Sequence, residues 1–375
     1  DSGPGTCILD SCGVGRTGSN LLIAGIAPVN TVRVTGPDPS VILKQFEEIL
    51  ADESLAAIFT ISYGLGLAIN GVPDRHPSTE PHIFAALFDS LAVHDYDTKK
   101  TCVFGNEDAC RALTERLAEY SDTAKPRPEI GTSGTGYTSN FSRDEYIAAV
   151  EQIKELIRDA PLVSASPEQF FRIDSRDGCR TISASPIKGT RPRGSTAKED
   201  QHLHQELLTS EKDRAENTMI VDLMRNDLGR ICEFGTVEVK ELCRIEEHPT
   251  LFHLVSTVAG KLRDGISTSD ILRSVFPCGS ITGAPKIRTM EILERLETRP
   301  RGLSMGAIGC RIPGGRFGTN EIFEMSVAIR TMVITNGVAT FNVGGGIVID
   351  SDPASEYDES MLKAKALLRS LGVHA

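Results

Sequence analysis

The chain has 375 residues, 40% hydrophobic and 5% aromatic, with no tryptophan and a net charge of −11 from 51 acidic and 40 basic side chains. That length can bury a large core in about one to three domains. The acidic balance and scarce aromatics argue against a nucleic-acid surface, while leaving room for a local basic pocket that takes a small anion.

The nine cysteines show no CxxC pair and no repeating spacing, which reads as reduced thiols in a cytoplasmic protein. No apolar run approaches the roughly 18 residues of a membrane span, and no charged-then-apolar leader opens the sequence, so no membrane partner is expected. The chain does not begin with methionine, which fits a trimmed start.

From residue 1 to about 130, short apolar runs such as Cys7-Ile8-Leu9, Leu21-Leu22-Ile23 and Ala57-Ile58-Phe59 alternate with Gly/Pro/Asp turns. Phe84 to Val93 reads as a helix, and Asp108 to Tyr120 as another. "GVGRTG" at Gly13 to Gly18 matches a dinucleotide fingerprint. Gly25 and Pro28 stand where its helix would have to run, so it is read as a turn.

The stretch Asp122 to Ser139 is rich in Pro, Gly, Ser and Thr and marks a boundary. Order resumes with Ser142 and Glu145 in capping-box spacing, then Ile147, Val150, Ile153 and Ile157 at helical intervals. This divides the chain into an N-terminal region, 1–130, and a second region, 140–375. Strand runs follow at Thr236–Val239, Gly306–Ile312, Met325–Ile334 and Ala339–Val343. No regular βαβ rhythm links them, so the fold class is α+β, with large, mostly antiparallel sheets layered against helices.

Two helices carry carboxylates. In the last one, Asp352 is the N-cap and Pro353 takes N1. Glu356, Glu359 and Lys363 share one face and Tyr357, Met361, Ala364 and Leu368 another; alone, the first face reads as solvated charge. In "SEKDRAENTMIVDLMRNDLGR", however, Asp213 and Glu216 continue the apolar stripe of Ile220 and Met224, and charges on a core-facing stripe need a partner. A shared Mg²⁺ would meet that need, because this ion uses few carboxylates and completes its shell with water and substrate oxygens.

"PCGSITGAPKIRTMEILERLE" adds an anion site: Ser280 and Thr282 offer hydroxyls, Gly283 permits close approach, and Pro285 opens a helix with free N–H groups. Lys286 and Arg330 are candidate counter-charges. His253 lies in an apolar run and reads by itself as a buried, satisfied histidine. The glycines 344–346 suit close backbone approach between two strand runs. Finally, TRPRG occurs twice, at Thr190–Gly194 and Thr298–Gly302, and only the first copy has a lysine two residues upstream, Lys188. The second copy reads as a turn.

Taken together, "SPEQF", "PIKGTRPRG", "AENTMIVDLMRNDLGR", "HLVSTVAG", "GSITGAPKIRTMEILE", "RGLSMGAIG", "VAIRT" and "GGGIVIDSDPASEYDES" resemble the chorismate-utilising enzymes. That family includes anthranilate synthase component I, aminodeoxychorismate synthase component I, isochorismate synthase and salicylate synthase. The ordered blocks run over about 200 residues, too many for chance. The N-terminal region is similar only loosely, through "LDSCGVGRTGSNLLIAG".

The resemblance implies the anthranilate synthase component I-like fold. It implies a Mg²⁺ on Glu216 and Glu359, with Asp213 and Glu356 nearby. It also implies substrate contacts at Gly189, Thr190, His253, Ser280, Arg330, Gly346 and Lys363. Where the family has an aromatic after "RGL", this chain has Ser304.

Lysine in "PIKGT", where anthranilate synthases carry alanine, looks like the aminodeoxychorismate branch. There the lysine is a nucleophile, so Lys188 is the expected counterpart, with Glu168 the general acid and His253 completing the catalytic set. An amine attacks only when neutral, and Arg191 and Arg193 are the candidate cations for that. The implied partners are chorismate and a glutamine amidotransferase that supplies ammonia. In the family a strand and a further long segment intervene before the "SPE" block. Here "IRDAPLVSASPEQF" joins directly, so an internal segment near residue 160 is expected to be lacking, with exposed strand edges.

Overall fold

The computed structural model describes residues 6–11, 20–123, 162–176, 178–248, 251–317, 320–335, 338–349 and 351–370. In chain order the strands begin with β1 Cys7–Asp10, β2 Leu21–Gly25, β3 Asn30–Val34, β4 Ala56–Ile61, β5 Ile83–Phe88, β6 Ser90–Asp95 and β7 Lys100–Gly105. They continue with β8 Leu162–Ser164, β9 Gln169–Arg176, β10 Cys179–Ala184, β11 Ile187–Pro192, β12 Glu238–Glu247 and β13 Leu251–Lys261. The last are β14 Ala307–Ile312, β15 Ile322–Val327, β16 Thr331–Thr335 and β17 Val338–Phe341. The helices are α1 Pro39–Leu50, α2 Tyr63–Ile69, α3 Glu107–Thr123, α4 Ala197–Thr209, α5 Glu211–Gly229, α6 Thr268–Val275, α7 Lys286–Leu296 and α8 Pro353–Ser370.

The chain forms two compact units: Asp1–Leu113 with Ser166–Ala328, and Thr114–Ala165 with Ile329–Ala375. In the first, a ten-stranded sheet runs β11-β13-β10-β9-β15-β14-β4-β5-β3, with β12 also paired to β13. Every described strand pairing is antiparallel, and the class is α+β. Because β3, β4 and β5 sit in the same sheet as β9 to β15, the regions before and after the expected boundary share hydrogen bonds. The boundary stretch itself, the turn at residues 13–18 and the helix expected after Ser142 lie outside the described residues.

A four-stranded sheet, β1-β2-β6-β7, belongs to the same unit. Ile23, Leu91 and Val93 from it pack with Ile58, Ala86, Phe88, Cys310 and Ile312 of the large sheet, one layer on another. Elsewhere in the same unit, Leu207 of α4 packs with Cys243, Phe252 and Leu254 of β12 and β13. Ile220, Val221, Met224 and Leu228 make the buried face of α5, whose N-cap Ser210 accepts from the Asp213 amide. The second unit holds a three-stranded sheet, β17-β16-β8, and α8.

Two expected elements differ. Phe84 to Val93 is not a helix but the parts of β5 and β6 on either side of Asp89. Most residues of these strands are buried, so the sequence loses the alternation that marks a half-exposed strand and leaves a continuous apolar run of either reading. Met325 to Ile334 is not one strand: Arg330 turns at a φ of +49°, and β15 and β16 on either side join different sheets.

The expected Thr236–Val239 strand is the start of a longer one, β12. On α8, Ala364 and Leu367 are buried, whereas Tyr357 and Met361, expected on the apolar face, are exposed.

Candidate active site

In the first unit the site begins with an irregularity in β11. Its pairing with β13 shifts register between Ile187 and Thr190, so Lys188 and Gly189 occupy a bulge. A bulge re-aims the side chains at it. Gly189 has a φ of +89°, and a Cβ there would come within 3.0 Å of Asp213. This close approach seats the bulge on the first turn of α5 and brings Lys188 and Thr190 beside the helix that carries Asp213 and Glu216.

Lys188 Nζ donates to the Ser280 carbonyl at 3.4 Å. Ser280 lies in the 3₁₀ turn Gly279–Ile281, just before α7. Glu168, at the entrance to β9, is only 6% exposed, and its Oε1 has no hydrogen-bond partner. Burial holds its carboxyl above the usual glutamate range; hydrogen bonding from Ser280, the charge of Lys188 and the Ile187 amide oppose that shift without cancelling it. A carboxyl whose proton is held more tightly than usual, beside an amine, is placed to give that proton to a leaving oxygen.

Behind this group, Thr190 Oγ1 and His253 Nδ1 are 3.3 Å apart across the β11–β13 pair. His253 is buried, and the His248 ring stands edge-on to it at 5.3 Å. Cys278 packs against the same turn, its Sγ 3.2 Å from Ser280 Oγ, and burial pushes its thiol up to about 12.

Three expected charges do other work. Arg191 pairs with Glu206 at 2.7 Å and Asp213 at 3.1 Å, and Arg193 pairs with Asp200. Each is therefore neutralised by a carboxylate rather than presented to Lys188. Lys286 is nearly buried against Asp227 at 2.6 Å and also donates to the Val275 carbonyl. It is a structural ion pair, not a counter-charge for a substrate. Thr282 spends its hydroxyl on the Cys278 and Gly279 carbonyls.

The remaining expected residues belong to the second unit. Lys363 Nζ donates to the Gly344 carbonyl at 3.0 Å and pairs with Glu359 at 2.8 Å. A Cβ on Gly345 would come within 2.8 Å of Glu356, so the glycines do serve close approach. They lie in 342–348, which forms no strand, and no strand follows them among the described residues. Gly346 lies in this loop, and the Arg330 carbonyl accepts from the Ala165 amide at 3.1 Å.

Carboxylates of a kind that suits Mg²⁺ stand one turn apart in each unit: Asp213 and Glu216 on α5 of the first, Glu356 and Glu359 on α8 of the second. Asp213 is already held by Arg191, Glu356 by the Ser351 hydroxyl and Glu359 by Lys363. Among the described residues no three His, Cys, Asp or Glu side chains gather as a metal cage.

One supporting group was missed from sequence. Asn217, fully buried next to Glu216, donates to the Leu254 carbonyl at 3.3 Å and accepts from the Ser256 hydroxyl. The signal was present: Asn217 is a polar residue on the apolar stripe between Asp213 and Ile220.

No disulfide joins the eight described cysteines. Among the described residues no helix is long and apolar enough to cross a membrane.

Residues 158–369 match the family model described as chorismate binding enzyme. The chain is 36% identical over 345 residues to aminodeoxychorismate synthase component 1 of Bacillus subtilis, covering 78% of this chain and 71% of that one. It is 48% identical over 202 residues to the probable chloroplastic aminodeoxychorismate synthase of Oryza sativa subsp. japonica; that match covers 54% of this chain and only 22% of the rice protein. It is also 33% identical over 380 residues to an anthranilate synthase component 1 of Haloarcula marismortui, covering 84% and 75%. In fold it is similar to anthranilate synthase component I from Streptococcus pneumoniae, with a TM-score of 0.66, 24% identity and 92% of each chain covered.

Proposed function

Because the chain belongs to the chorismate binding enzyme family, we propose that it is an aminodeoxychorismate synthase component I, converting chorismate and ammonia to 4-amino-4-deoxychorismate and water. The observation that carries this reading is a lysine, Lys188, set in a bulge beside a buried carboxyl, Glu168, whose pKa burial raises.

In this reaction neutral Lys188 Nζ attacks C2 of chorismate, the ring double bonds shift, and the C4–O bond breaks as Glu168 protonates the departing hydroxyl, which leaves as water; the proton shed by the new C2–N bond returns to Glu168. Ammonia then adds at C4, the double bonds shift back, the C2–N bond breaks, and the proton shed by the added nitrogen restores the Lys188 amine. His253 and Thr190 orient the ring, and Gly189 and Ser280 offer close backbone and hydroxyl contacts. Arg330, Gly346 and Lys363 take the substrate carboxylates.

Mg²⁺ would be held by Glu216 and Asp213 on α5 and by Glu359 and Glu356 on α8. When bound it offsets the charge of the substrate's carboxylates and fixes their orientation. A glutamine amidotransferase subunit supplies the ammonia, the product leads to para-aminobenzoate and folate, and the protein works in the cytoplasm with reduced thiols.

The same fold could make anthranilate, and the Haloarcula relative favours that second reading. Product identification separates the two. Purified chain with chorismate, Mg²⁺ and ammonium is expected to give 4-amino-4-deoxychorismate. Fluorescent anthranilate would overturn the assignment, and a folded chain that makes no product would mark a catalytically impaired subunit.

A further inference from the structure

The second TRPRG copy bends, as expected, where the first completes a strand, yet the two hold their final arginines alike. Arg193 donates from Nε and Nη2 to Asp200 at 2.8 and 2.6 Å and from Nη1 to the His248 carbonyl at 2.9 Å. Its guanidinium lies over the Phe252 ring at 4.6 Å. Arg301 donates from Nε and Nη2 to Glu297 at 2.9 and 2.7 Å and from Nη1 to the Ile281 carbonyl at 3.2 Å. It lies over the Tyr63 ring at 4.5 Å.

The two sites match atom for atom: a carboxylate fork, one backbone carbonyl and one aromatic face. The next glycine is crowded each time, Gly194 by the Asp200 backbone and Gly302 by Glu80. A fork fixes the plane of the guanidinium, the ring fixes its height, and the remaining N–H then fixes whichever chain segment it touches.

Those segments converge. Arg193 ends the strand that bears Lys188 and Thr190, and it ties that end to His248, whose ring faces His253. Arg301 grips the carbonyl of Ile281, one residue beyond Ser280, whose own carbonyl accepts from Lys188. We infer that Arg193 and Arg301 are paired positioning residues that together set the separation of the Lys188 strand from the Ser280 turn.

This rests on Lys188 being the reacting amine, and the alternative is that each arginine merely stabilises its own segment. The arginines share no carboxylate, carbonyl or ring among the contacts above. Independent stabilisers therefore give effects that multiply, whereas two settings of one gap give effects that do not.

The test uses the full chain and the variants Arg193→Lys, Arg301→Lys, the double variant and, as control, the exposed Arg299→Lys. Lysine keeps the charge and loses the fork. Chorismate consumption is followed whatever the product, and the rate at which trinitrobenzenesulfonate modifies Lys188 is followed by peptide mapping. Each single variant is expected to lower kcat about ten- to a hundredfold with a smaller change in KM. The double variant is expected to lose less than the product of the two, with Lys188 modification altered in all three and unchanged in Arg299→Lys.

Folded single variants with ordinary kcat and ordinary Lys188 modification, or losses that multiply, would overturn the inference. If Arg301→Lys does not fold, Glu297→Gln opens the same fork and carries the same expectation. If the wild-type chain consumes no chorismate, the proposed function fails, and Lys188 modification alone decides the clamps by the same criteria.

Discussion

Lys188 Nζ and the carbonyl oxygen of Ser280 lie 3.4 Å apart although 92 residues separate them in the chain. Glu168 stands beside both, buried, with its carboxyl pushed upward by desolvation. The folded chain thus holds the Glu168 proton more tightly than the unfolded chain does. Its contribution to stability is fully present below the ordinary value of 4.5 and is lost as pH rises through the raised value. Glutamine cannot ionise, so the Tm of Glu168→Gln relative to wild type is expected to climb as pH rises from 4.5 to the raised value and to level off above it. Turnover is expected to fall about a hundred- to ten-thousandfold. A Tm difference that ignores pH would contradict the burial argument.

Gly189 holds the bulge against α5. Its φ is +89°, and a Cβ would meet Leu207 at 2.9 Å and Asp213 at 3.0 Å. Gly189→Ala should cost about 1–3 kcal/mol in urea unfolding, from backbone strain and overpacking. It should also lower turnover, because the bulge that aims Lys188 must move. Unchanged unfolding with full activity would mean the bulge is not constrained there.

Asn217 ties α5 to the sheet through the Leu254 carbonyl and the Ser256 hydroxyl, and Ser256 in turn accepts from the Cys243 amide at 2.8 Å. Asn217→Ala leaves these buried groups short of partners, at about 1–3 kcal/mol for each one unpaired. Chemical denaturation measures the loss. Stability within about 0.5 kcal/mol of wild type would show that the network contributes little.

Lys286 and Asp227 form a nearly buried pair. Removing the lysine strands a carboxylate that burial already disfavours, so Lys286→Met should destabilise the chain by about 3–5 kcal/mol. In the folded fraction KM for chorismate should not change. A raised KM with intact stability would restore Lys286 as a substrate counter-charge.

Legibility from sequence followed locality. The cap of α8 and the class of fold were readable, because Asp352 accepts from the Ser355 amide three residues on and Pro353 has its φ already set for the first helical turn. The β5–β6 pair was not, because strands buried on both faces carry no period of two.

At the site, Lys188, Glu168, Ser280 and His253 were nameable from motifs, but their contacts depend on sheet order. The roles of Arg191, Arg193 and Lys286 were misjudged for a related reason. Each has a carboxylate partner on another element, 7 to 59 residues away, and spacing in the sequence does not show which partner a cation finds.

The most direct measurement is the mass of the protein after incubation with chorismate and Mg²⁺ in the absence of ammonia, followed by peptide mapping. The account predicts an adduct equal to chorismate less one water, confined to the peptide that contains Lys188 and missing from Lys188→Ala. Turnover to 4-amino-4-deoxychorismate by Lys188→Ala at the wild-type rate, with no adduct on either protein, would contradict it.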